Sequence, residues 1–64
     1  MKGMKCFVWT KTVPAKEIAT ITDVRNVFLA PNLVNDEMMI CIETNDGVQF
    51  KFSTKTAKTT IYQN

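Results

Sequence analysis

The sequence predicts an all-β or β-rich domain: a small SH3-like barrel or a twisted antiparallel sheet of about five strands, with a short C-terminal helix or a sixth strand. Three observations carry this. Met4 to Thr12 alternates in hydrophobicity, residues 38–53 form a hairpin whose pattern fixes its own register, and the segment between them is crowded with β-branched side chains.

The first strand puts Met4, Cys6 and Val8 on one face and Lys5, Phe7, Trp9 and Lys11 on the other. Val13-Pro14-Ala15-Lys16 is a turn, because proline presets φ and cannot donate to a ladder. Residues 16–29 read two ways. Ile18, Ile21, Val24 and Phe28 fall on one arc of a helix, yet Ile18, Thr20, Ile21, Thr22, Val24 and Val27 are β-branched and favour extended chain. The favoured reading is a strand over Lys16 to Ile21, a helical turn over Thr22 to Arg25 that brings Val24 inward, and a strand over Asn26 to Ala30. Pro31-Asn32 ends it, and the loop Leu33 to Asp36 is expected to lay Leu33 and Val34 over one end of the core.

The hairpin is the strongest signal. A two-residue Asp46-Gly47 loop would pair Ile42 with Lys51 and send the two apolar sets to opposite faces. A three-residue loop, Asn45-Asp46-Gly47, instead pairs Thr44 with Val48, Ile42 with Phe50 and Ile40 with Phe52, all on one face. Gly47 then takes the left-handed position, where a side chain would be penalised. Beyond it, Ser53 or Thr54 could cap a short helix reaching Tyr62, with Ala57 and Ile61 four apart on its inner face. The alternation Ala57, Thr59, Ile61 equally permits a sixth strand.

Sixty-four residues make one domain, spanning 1–64. At this size folding buries only about 60% of the chain's surface, so the core is small. There is no histidine, and Cys6 and Cys41 stand far apart with no C-x-x-C spacing, so no metal site and no cofactor are expected. The chain shows no secretory apolar region and opens Met1-Lys2-Gly3-Met4, which predicts a cytoplasmic protein with reduced, mostly buried thiols. No apolar run approaches the roughly 18 residues of a membrane span.

The net charge of +2 hides a segregation. Lys2, Lys5, Lys11 and Lys16 stand before any acid, and Lys51, Lys55 and Lys58 come after the last one. Between them lie Glu17, Asp23, Asp36, Glu37, Glu43 and Asp46 against Arg25 alone. If the two ends meet in space, the molecule gains a basic pole that can steer a charged partner.

No catalytic constellation is present. General acid-base work needs a group that titrates near the working pH, and histidine is absent. Both cysteines lie in apolar alternation, which predicts inert thiols without a base. Asp36-Glu37 are adjacent, so in extended chain they point to opposite faces. Only Gly3 and Gly47 are available, too few for a phosphate-binding loop. The chain therefore reads as a binder, not an enzyme.

The candidate partner-binding residues are Lys5, Phe7, Trp9 and Lys11 on the first strand and Met39 on the hairpin. Both faces of the first strand and both faces of residues 38–42 are apolar, while a barrel of this size has one interior. One set should meet another chain, either as a homodimer or with a dedicated protein partner. A short stand-alone chain of this kind suits an inhibitor or accessory protein of a phage or mobile element. The alternative is nucleic acid, with bases stacked on Phe7 and Trp9 and lysines on phosphates. In the opposite orientation, Phe7 and Trp9 are core and Met4, Cys6 and Val8 face outward.

Overall fold

The computed structural model describes residues 3–63 and is all-β, with no helix among them. Five strands, β1 (Met4–Thr10), β2 (Glu17–Asn32), β3 (Glu37–Thr44), β4 (Gln49–Ser53) and β5 (Ala57–Tyr62), form one antiparallel sheet in the order β4-β3-β2-β1-β5. No helix is long and apolar enough to cross a membrane.

The sheet is open, because β4 and β5 occupy its two edges and do not pair. Yet only residues 54–56 separate Ser53 from Ala57. Four Cα steps reach at most about 14 Å, whereas the outer strands of a flat five-stranded sheet lie roughly 19 Å apart. The sheet must bend so that its edges approach at this link. Lys11 holds the link in place, its backbone N–H donating to the Thr56 carbonyl at 3.3 Å and its ammonium to the Thr54 carbonyl.

The bend lies in β2. The segment expected as strand, helical turn and strand is one continuous strand of 16 residues, and no helical turn occurs. Its ladders slip by one residue at three places: opposite Val8/Trp9 and Met4/Cys6 of β1, and at Val24/Asn26 against β3. Each extra residue is a β-bulge, which bends the strand and reverses the facing of the residues beyond it. Ile21, Val24 and Val27 therefore all reach the inner face at intervals of three. Val24 does turn inward, as the sequence predicts, but a bulge brings it there. Asp23 occupies the bulge at φ 57, a conformation that Asp tolerates better than most residues.

The hairpin register matches the sequence reading. Ile40 faces Phe52, Ile42 faces Phe50, and the Thr44 N–H donates to the Val48 carbonyl at 2.9 Å. Gly47 adopts φ 90. The core on the inner face consists of Cys6, Val8, Ile21, Val24, Ile40, Ile42 and Ala57, with Met4, Ala19, Val27 and Phe52 packed against it.

Three further expectations are corrected. The C-terminal segment is a strand, the fifth rather than a sixth, because residues 17–32 form one strand instead of two. The first strand ends at Thr10, where the chain turns away through a cis Val13–Pro14 bond. Leu33 and Val34 do not cover the core: at 90% and 95% exposure they sit on a turn that carries them away from it.

Candidate functional site

Direct cross-strand partners share a face of the sheet. On β1, Cys6 and Val8 are fully buried inside, so Lys5, Phe7 and Trp9 belong to the outer face. The pairing of β1 with β5 and β2 then builds a patch around Phe7. Lys58 and Glu17 flank Trp9, Thr60 and Thr20 flank Phe7, and Tyr62 stands beside Lys5.

The three rings touch. Phe7 meets Tyr62 edge-on, with centroids 5.4 Å apart and planes at 83°, and Trp9 lies 6.3 Å away on its other side at a tilt of 38°. These arrangements suit aromatic quadrupoles and hold the rings in place. Phe7 and Trp9 are half-buried by one another and their neighbours, while Tyr62 is 55% exposed. The cluster is backed by Cys6 and Val8, which are fully buried on the inner face of β1.

The five sequence-derived residues do not form one site. Lys5, Phe7 and Trp9 stand together. Lys11 lies past the end of β1, with its ammonium on the Thr54 carbonyl. Met39 is on the outer side of β3, where it faces Ala30 and Ser53 and helps to line a separate cavity of about 330 Å³ with Cys41, Leu33 and Lys51. Lys58, Tyr62, Thr20 and Glu17 complete the patch and were not singled out from the sequence. Reading residues 57–62 as a strand would have placed Lys58, Thr60 and Tyr62 on one face.

Two ion pairs join opposite charges among the described residues. Arg25 pairs with Glu43 at 3.3 Å and Lys55 with Glu37 at 3.6 Å, both away from the rings. β1 and β5 are adjacent, which brings Lys58 to the face of Lys5, whereas Lys51 lies on β4 at the other edge of the sheet. Cys6 and Cys41 are free and buried, Cys6 on the inner face and Cys41 facing Phe28 and Lys51 on the outer one. Burial pushes the Cys6 thiol up, away from the nucleophilic thiolate.

No family model matches the chain, and neither a curated protein nor a solved structure matches it.

Proposed function

We propose that this chain is a small non-catalytic protein-binding module, an inhibitor or accessory protein that docks through the Phe7–Trp9–Tyr62 face. The observation that carries the reading is the position of Phe7, in ring contact with Trp9 and with Tyr62, on the side of β1 opposite Cys6 and Val8. Rigid, partly exposed aromatics with a polar rim are what concentrates binding energy in protein interfaces. Thr20, Thr60, Lys5, Lys58 and Glu17 supply that rim.

The bent β2 and the three-residue link from β4 to β5 favour a small SH3-like barrel as the parent architecture. A non-catalytic role is favoured by the engagement of four of the six carboxylates: Glu43 with Arg25, Glu37 with Lys55, Asp46 with Thr44 and Asp23 with Asn45. The free thiols fit a reducing, cytoplasmic compartment.

Affinity capture from the native host with the wild type and with Trp9→Ala tests the reading. A protein, including a further copy of the chain, should be retained by the first and lost by the second. Equal retention by both would refute it.

Lysines at Lys5 and Lys58 beside the rings favour a second reading, in which single-stranded nucleic acid stacks on the same face. Affinity that falls steeply with salt would support it, through release of counterions from phosphates. Absence of binding at about 50 mM salt would remove it.

A further inference from the structure

The row of the outer face that contains Trp9 is asymmetric in charge. Lys58 of β5 stands on one side of Trp9 and Glu17 of β2 on the other. Two strand spacings, about 10 Å, separate them, so they cannot meet across Trp9, and neither forms an ion pair among the described residues. The next row is uncharged and nearly symmetric, with Thr60 and Thr20 on either side of Phe7.

A face of this pattern is complementary to itself. Turned over about a two-fold axis that runs along β1, a second copy lays its β5 over β2 of the first and its β2 over β5. Trp9 and Phe7 lie on the axis and meet their own counterparts. Lys58 of each copy comes over Glu17 of the other, twice by symmetry, and Thr60 comes over Thr20. An isologous interface requires this relation, in which residue i meets j and j meets i.

Resting on the reading of this face as a protein-binding surface, we infer that its partner is a second copy of the chain, held by ring-on-ring contact at the axis and by reciprocal Lys58–Glu17 pairs at the rim. One neighbour opposes the pairing. Lys5 lies in the axial column beside Tyr62 and faces its own counterpart, so the dimer is weakened at that end.

The experiment is sedimentation velocity on the full chain at about 100 μM, where a micromolar interface is populated. Wild type should sediment as a dimer. Lys58→Glu and Glu17→Lys each replace two attractions with two repulsions and should weaken the dimer at least about tenfold. An equimolar mixture of the two variants restores both opposite-charge contacts and should return the dimer. Lys5→Gln should tighten it, the reverse of its effect at a phosphate-binding site. Lys58 and Glu17 are exposed and Lys5 is half-buried, and circular dichroism verifies that the variants fold.

A monomeric wild type, or a mixture that fails to restore the dimer, would overturn the inference. So would a weaker dimer in Lys5→Gln. If the wild type is monomeric but retains a different protein that Trp9→Ala loses, the face is a docking surface and only the second copy is wrong. If it retains no protein at all, both readings fall.

Discussion

Asn45, in the β3–β4 loop, grips Asp23, in the bulge of β2, through two hydrogen bonds: its side-chain amide donates to Asp23 Oδ1 at 2.6 Å and its backbone N–H to the Asp23 carbonyl at 3.0 Å. The residue that bends the longest strand is thus held by the tip of the hairpin. The bend sets where β1 and β5 lie, and so where the ring face points. Asn45→Ala keeps the backbone bond and loses the other. Its expected cost is about 1 kcal/mol, seen as a lower midpoint in urea with an unchanged slope.

The two glycines should respond differently to alanine. At Gly47 a Cβ would meet nothing within 4 Å, so Gly47→Ala pays only for φ 90, about 1 kcal/mol. At Gly3 the added carbon would come within 2.7 Å of the Asp23 carbonyl carbon, which is backbone and cannot swing aside. Gly3→Ala should therefore displace the start of β1 or the bulge, at roughly 1–3 kcal/mol. Thermal melts of the two variants separate strain from collision. A neutral Gly47→Ala would contradict the three-residue loop.

Asp46 accepts a hydrogen bond from the buried Thr44 hydroxyl, and this holds its carboxyl below the ordinary value of 3.8, with help from the backbone N–H groups of Asp46 and Val48. A carboxyl lowered by folding adds stability above its unfolded range and loses it as pH falls through the folded value. The hairpin should weaken below about pH 4. Asp46→Asn should flatten that acid limb in melting temperatures taken between about pH 6 and 2, and an unchanged acid limb would rule the Thr44 bond out as its source.

Both thiols are shielded, Cys6 completely and Cys41 at 2% exposure. Mass spectrometry after alkylation should find neither modified in the native chain and both modified in denaturant. Because Cys6 faces inward and Cys41 outward, a disulfide between them, recovered without reductant, would contradict the sheet.

Each segment was legible in the sequence to the degree that its pattern repeats simply. Ile40, Ile42, Phe50 and Phe52 alternate with period two and leave Gly47 one workable place, so register and loop were both readable. β2 was not, because three bulges within residues 17–26 space Ile21, Val24 and Val27 by three and imitate a helical arc in a strand. Phe7 and Trp9 stood out as bulky rings alternating with Cys6 and Val8. Tyr62 and Lys58 did not, since β5 is rich in threonine and its facing depends on long-range pairing with β1. Lys11 was grouped with the rings by carrying the alternation past Thr10, where β1 ends, and Met39 by the two apolar faces of residues 38–42, but β2 lies between its strand and β1.

Trp9 is the chain's single tryptophan, so its fluorescence reports on the ring face without interference. The most direct measurement is acrylamide quenching of Trp9 in dilute protein and again as concentration is raised. Ready quenching is expected in the dilute chain, and protection as the face becomes covered. Strong protection and a blue-shifted emission at every dilution would make Trp9 a core residue and contradict the outward-facing ring surface.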